Sequence, residues 1–317
     1  MSSTQRMALM SLGSLLLLFF VINQMLTPSR KPLYHVGILV SAQHPALDLA
    51  LEGIKKKLFI KLNQRIKFIE FVGNGSPEYL QNNAQTLTFN EKLNLFIAIG
   101  SPACHALADR EKQRPIVFAA VSDPQLHSLT QSNLCGISDK SETLNQFKFI
   151  KQLIPSAKKI GLLYTPDETY AQQNKQAIEA LLHQDHYETI EINLREKDSF
   201  QKAESADILF AIEDYTIATA MKNIAQQALE IKKPLFTSYT PAVNEGAFAS
   251  CGVNYHKCGR KAGKFALKLL KNHTTAHELG IIHMPNNDIS INETVGNKLN
   301  IKIPSQLIKY TQKIDTE

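Results

Sequence analysis

The sequence predicts two α/β domains, each a doubly wound parallel sheet, and three observations carry that expectation. Short apolar runs alternate with helical segments from residue 34 onward, the order that builds parallel sheets through right-handed crossovers. The alternation restarts at Lys159, midway along the chain. The apolar runs also end in small hydroxyl or acidic residues: NLFIAIG leads into Ser101-Pro102-Ala103, PIVFAAV into Ser122-Asp123-Pro124, and Gly136-Ile137 into Ser138-Asp139. Ligands of open parallel sheets collect outside the carboxyl ends of the strands. A helix that starts there offers free N–H groups and a positive dipole end to an anion. The pattern points to a small polar ligand, a carboxylate fitting it well, in the cleft between two facing domains.

The elements follow in order. YHVGILV (Tyr34–Val40) reads as a strand, and residues 44–62 as a helix with Leu47, Leu49, Leu51, Ile54, Leu58 and Ile60 as its apolar positions. Ile66–Val72 is the next strand. Residues 76–87 form a helix, with Ser76 as N-cap and Pro77 at the first helical position, where a missing N–H costs nothing. Strands at 94–100 and 115–121 flank a helix over 103–111, and 141–153 is helical. The second cycle runs strand 160–164, helix 167–183, strands 189–194 and 206–213, helix 217–231, strands 234–238 and 246–253, and helix 255–271. Residues 280–303 read as short strands or loops with a helix at 295–299.

Residues 7–26 (MALMSLGSLLLLFFVINQML) are a charge-free, mostly apolar run after Arg6. Secretory signals have apolar cores of ~7–15 residues and a small-residue exit; this run is longer and lacks that exit. It has the ~20 residues a membrane-spanning helix needs, although Asn23 and Gln24 weaken its end. We read residues 1–31 as a signal peptide or N-terminal membrane anchor, and the protein as exported: periplasmic, or held to the inner membrane by residues 7–26. The formal charge is +6. Arg6, Arg30 and Lys31 supply half of it and no acid lies in 1–31, so the rest of the chain carries +3. A net charge that small is not the footprint of nucleic-acid binding. Lys55-Lys56-Lys57 reads as the solvated side of an amphipathic helix.

The four cysteines, Cys104, Cys135, Cys251 and Cys258, can pair in three ways in an exported protein or stay as buried free thiols. The Cys251/Cys258 spacing fits no metal site. There is no G-x-S-x-G elbow, P-loop or H-E-x-x-H, so the residues suggest binding rather than catalysis, with no cofactor or metal.

Six short segments resemble one family. They are His44-Pro45-Ala46-Leu47-Asp48, Gly100-Ser101-Pro102-Ala103, Val117-Phe118-Ala119-Ala120-Val121-Ser122-Asp123-Pro124, Gly136-Ile137-Ser138-Asp139, Gly161-Leu162-Leu163-Tyr164-Thr165-Pro166-Asp167-Glu168, and Gly252-Val253-Asn254-Tyr255 with Gly259-Arg260-Lys261-Ala262-Gly263. In order and without large gaps across 34–310, they resemble the substrate-binding proteins of ABC transporters of the aromatic-amino-acid (tryptophan/tyrosine) type. The resemblance implies a periplasmic-binding-protein type I fold: two α/β lobes, a multi-strand hinge, and closure around a ligand. Residues 32–140 with about 255–280 would form the first lobe, and 141–254 with about 281–317 the second. It further implies an amino acid as ligand, often aromatic, and an ABC permease and ATPase as partners.

Placed on these residues, Ser101 with the N–H groups at the start of its helix, beside Pro102 and Ala103, would take the ligand carboxylate, with Ser122 and Ser138 as further hydroxyls. Asp214, after ADILFAIE, would hold the α-ammonium, with Asp139 and Asp123 next in line. Tyr164, Tyr215 and Tyr239 would form a flat wall. Simpler roles stand beside these: Ser101 and Ser122 as N-caps, Asp123 as a turn former, Asp139 as a cap, and the tyrosines as core packing. The segment 165–171 and Tyr215 depart from the family pattern, which leaves the cargo open. A membrane-anchored ligand-sensing domain that signals occupancy to a membrane partner is the alternative role.

Overall fold

The computed structural model describes residues 33–317 except 75, 123, 125–128, 130, 141–142, 167–168, 213–214, 286 and 315–317; at 169–171, 173 and 215 it describes the backbone alone. The expected leader therefore lies outside the described residues. Among those described, no helix is long and apolar enough to cross a membrane.

The chain opens with β1 (Tyr34–Val40), α1 (Pro45–Lys61), β2 (Ile66–Val72), α2 (Pro77–Thr88), β3 (Leu95–Ile99), α3 (Ser101–Arg110), β4 (Ile116–Val121) and β5 (Leu134–Ser138). It then passes to α4 (Thr143–Leu153), β6 (Lys159–Tyr164), α5 (Thr169–Gln184), β7 (Glu188–Asn193), α6 (Ser199–Ala203), β8 (Ile208–Ala211), α7 (Tyr215–Glu230), β9 (Leu235–Thr237) and β10 (Ala249–Gly252). Next come α8 (Tyr255–Leu270), α9 (Ala276–Leu279) and β11 (Ile281–His283), and finally β12 (Asp288–Asn292), α10 (Glu293–Lys298) and β13 (Thr311–Gln312). The capping logic read from the sequence holds at α2, where the Ser76 hydroxyl accepts the Tyr79 N–H at 3.3 Å ahead of Pro77.

Two sheets result. The first runs β11-β5-β4-β3-β1-β2 with every pair parallel; the second runs β13-β12-β10-β9-β8-β6-β7, parallel except for the β10–β12 pair. Both contain the same doubly wound order 2-1-3-4-5, as β2-β1-β3-β4-β5 and as β7-β6-β8-β9-β10. The central strands are apolar along their whole length because helices cover both faces. In β3 and β4 every residue is buried. One apolar cluster fills the α2/α3 side of the first sheet and another the α4/α5 side of the second; a third contains residues of both sheets.

Two departures from the sequence reading concern the edges. Leu134–Ser138, noted only for its Ser-Asp end, is a full strand, and β11 pairs with β5 of the first sheet. The first sheet thus keeps Ile281–His283, which the sequence reading assigned to the second lobe. The reason is local: the β5 edge of the first sheet is open to pairing, and the Gly136 N–H already reaches the Gly280 carbonyl at 3.1 Å. The chain consequently crosses between the sheets three times: after β5, after β10 and after β11.

Candidate functional site

In a 2-1-3-4-5 sheet the winding reverses between the first and third strands, and a crevice opens outside their carboxyl ends. In the first sheet that crevice lies where β1 ends at Val40 and β3 at Ile99; in the second it lies beyond β6 and β8. The carboxyl edges of the two sheets face each other. His44, which follows β1, and Tyr239, which follows β9, bring their rings to a centroid distance of 5.9 Å at a tilt of 51°. Both are buried, at 8% and 1% exposure. The His44 Nδ1 accepts the Ala46 N–H at 3.1 Å, so the imidazole caps α1 while its ring meets the opposite lobe. The sequence placed His44 at the start of a helix, and nothing local showed which lobe its ring would face.

The β3–α3 turn is built around Gly100, whose φ of 86° and ψ of 155° fall in a region essentially reserved for glycine. A Cβ at this position would lie 2.5 Å from the Ser41 hydroxyl. Ser41 explains the crowding: its Oγ donates to the Ile99 carbonyl at 3.0 Å and accepts the Ala103 N–H at 2.9 Å. The N-cap of α3 is Gly100, not Ser101. Of the expected anion donors, Ala103 gives its N–H to Ser41, and Pro102 has none to give. The Cys104 N–H reaches the Gly100 carbonyl at 3.1 Å. Ser101, half-buried, is left with an N–H and a hydroxyl that have no hydrogen-bond partner among the described residues.

β4 ends in a register shift between Ala119 and Val121, with Ala120 at φ 55°. Such bulges re-aim the residues that follow, here Ser122. Ser138 is wholly buried; its hydroxyl donates to the Ser122 carbonyl at 3.3 Å and accepts the Lys140 N–H at 3.1 Å. It ties the ends of β4 and β5 together, and its one hydroxyl donor is used within the protein. Asp139 accepts the Tyr255 hydroxyl at 3.0 Å, joining the first crossing to the start of α8.

In the second lobe, Tyr164 is engaged sideways. Its hydroxyl donates to Glu191 at 3.3 Å, and Lys175 sits 4.9 Å from its ring and 2.7 Å from Glu191. Burial and the Glu191 carboxylate hold its phenol above the usual range. These contacts of Tyr164 are with α5 and the edge strand β7. Tyr215 opens α7 but its side chain is outside the described residues, as are Asp123 and Asp214 altogether. Tyr239, among the described side chains, is seen against the opposite lobe.

Two crossings are clamped by Asp288, which sequence reasoning missed. It accepts the Thr240 hydroxyl at 2.9 Å and the Asn254 amide at 3.0 Å, while Asn254 caps α8 through the Lys257 N–H at 2.8 Å. All four cysteines are buried free thiols. Burial pushes Cys135 and Cys258 up to about 12 and Cys251 up to about 11, and Cys104 higher still. Among the described residues, no cluster of His, Cys, Asp and Glu could hold a metal ion.

Residues 35–315 match the family model of the ABC transporter substrate binding protein. The chain belongs to this family. Its members are solute-binding proteins, not enzymes. A tyrosine-binding protein of Clostridioides difficile is 28% identical over 299 residues, covering 90% of this chain and 86% of that one. A conserved domain protein from Vibrio cholerae has a solved structure with a TM-score of 0.78 and 26% identity, over 89% of this chain and 100% of its own. An ABC domain from Streptococcus pneumonia, solved in complex with L-Trp, has a TM-score of 0.77 and 24% identity, over 89% of this chain and 99% of its own. The fold is the periplasmic-binding-protein type I architecture expected from the six motifs.

Proposed function

We propose that this protein is the extracytoplasmic binding component of an ABC importer and takes an amino acid with a large, aromatic side chain into the cleft between its sheets. The observation that carries the reading is the meeting of the two carboxyl edges at His44 and Tyr239, beside a turn whose Ser101 keeps an N–H and a hydroxyl for a ligand. Relatives that bind tyrosine and L-Trp support the ligand class. The Ser101 pair receives the carboxylate and Ser122 adds a second hydroxyl. Asp214 holds the α-ammonium, with Asp123 and Asp139 as the next acids. Tyr215 and Tyr239 face the side chain. A permease and an ATPase complete the transporter, and residues 7–26 export or anchor the chain. The family match is to transporter subunits and adds no support to a signalling role.

A ligand closes such a cleft only through contacts that both lobes make. The test is calorimetric titration with L-tyrosine, L-tryptophan and L-phenylalanine against lysine, glutamate and a sugar panel. Binding confined to the aromatic amino acids supports the reading. Binding only to a sugar, or to none of these, overturns the amino-acid assignment.

A further inference from the structure

The overall charge conceals a local concentration. On α8 and its C-cap, Lys257, Arg260, Lys261, Lys264, Lys268 and Lys271 are all exposed. Their spacing of three, four and seven residues puts them on a single stripe of the helix, about 21 Å long at 1.5 Å per residue. The opposite side, including Cys258, Ala262 and Ala266, is buried. No acidic residue occurs between 255 and 271, and none of the six cations makes an ion pair among the described residues. Helix stability does not explain the pattern. Cations favour a helix C-terminus and oppose its N-terminus, yet Lys257, Arg260 and Lys261 stand in the first two turns, which hold no compensating acid.

α1 doubles the stripe. Gly53 and Gly259 let the two helices approach so closely that a Cβ on Gly53 would lie 2.4 Å from the His256 carbonyl, and one on Gly259 2.0 Å from the Ala50 carbonyl. The side chain of Lys57 packs over Gly263, and Lys56 and Lys61 are exposed on the same helix. Of the lysine run, Lys55 pairs with Glu70 at 2.7 Å. The acid bordering this face is Glu52, 4.0 Å from His256. Among the α1 lysines stand two apolar side chains, Phe59 at 45% and Ile60 at 62% exposure.

We propose that the joined faces of α1 and α8 are a membrane-surface site that takes anionic phospholipid headgroups and holds the first lobe against the bilayer. Lysines and arginines near an anionic surface each add about fivefold to binding. Exposed aromatic and aliphatic side chains set among cations are what the headgroup boundary accepts. The sequence itself supplies a route to a bilayer, in a 20-residue apolar run ending eight residues before β1. This inference does not depend on which ligand the cleft takes.

The test is lysine footprinting of the full-length protein in nanodiscs of phosphatidylcholine alone, or with about one third phosphatidylglycerol. On anionic discs, acylation of Lys57, Lys257, Lys264 and Lys271 is expected to slow at least fivefold, while Lys151, Lys232 and Lys302 of the second lobe are unchanged. Salt at about 0.5 M restores the rates. In the variant Lys261→Gln/Lys264→Gln/Lys268→Gln the protection of Lys57, Lys257 and Lys271 disappears, with amino-acid binding and melting temperature as in the wild type. Equal labelling on both kinds of disc overturns the proposal, as does protection that ignores lipid charge. Protection that appears in neutral lipid only when an acidic protein is added also overturns it, and assigns the face to that protein.

Discussion

Replacing Gly100 with alanine tests the architecture of the β3–α3 turn. The backbone there costs a non-glycine residue about 1–3 kcal/mol. The new methyl would also sit 2.5 Å from the Ser41 hydroxyl and 3.0 Å from its Cβ, so Ser41 must move. That movement breaks the bond to the buried Ala103 N–H, and an unpaired buried donor costs a further ~1–3 kcal/mol. The expected loss is therefore about 2–6 kcal/mol, read by urea unfolding from the midpoint and slope. Ser41→Ala alone should lose about 1–3 kcal/mol. Because both changes remove the same hydrogen bond, the double variant should lose less than the two losses added. Ligand affinity of Gly100→Ala should fall more than tenfold, about 1.4 kcal/mol, since the turn carries Ser101. A Gly100→Ala protein within about 0.5 kcal/mol of wild type, or losses that add in full, would refute the reasoning.

Four further outcomes are expected. Ser101→Ala should weaken amino-acid binding by about 1–3 kcal/mol without changing stability, and unaltered affinity in a calorimetric titration removes Ser101 from the site. Asp288→Ala should destabilise by about 1–3 kcal/mol, because it strands Thr240 before β10 and Asn254 at the crossing after it; thermal unfolding reads this directly. Burial alone would raise the carboxyl of Glu111, but the Gln113 and Arg114 N–H groups and the Arg114 guanidinium outweigh it and hold it below the usual range. Its contribution is thus full above the unfolded carboxyl range near pH 4.5 and lost as pH falls through the lower folded value. Glu111→Gln should flatten that acid limb, and an unchanged stability–pH curve sinks the assignment. Finally, the four thiols should resist alkylation in the native protein and all react after denaturation, as intact mass would show; a disulfide-sized mass deficit contradicts the free-thiol structure.

The doubly wound pattern was legible because apolar strands and helical segments alternate so regularly: Tyr34–Val40 and Ile66–Val72 were bounded to the residue. Elements that depend on partners distant in the sequence were not legible. Ile281–His283 is three residues long and takes its strand character from β5. The strand-to-helix turn at Gly100-Ser101 was legible from the apolar run that leads into it. The role of Ser41 was missed because its two bonds reach across 58 and 62 residues. Tyr239 was legible as a candidate wall residue, but its partner His44 was not, and only the facing of the two sheets makes them a pair. The contacts of Tyr164 with Lys175 and Glu191 were not legible either, because those partners stand on a separate helix and strand.

The most direct measurement exploits the absence of tryptophan from this chain, which makes the indole emission of added L-tryptophan a signal from the ligand alone. Titrating the full-length protein into L-tryptophan should give a saturable blue shift and a rise in anisotropy, reversed by L-tyrosine and untouched by lysine or sugars. An unshifted indole signal, with protein and competitors at about millimolar levels where even weak binding is seen, would contradict an aromatic amino acid as the cargo.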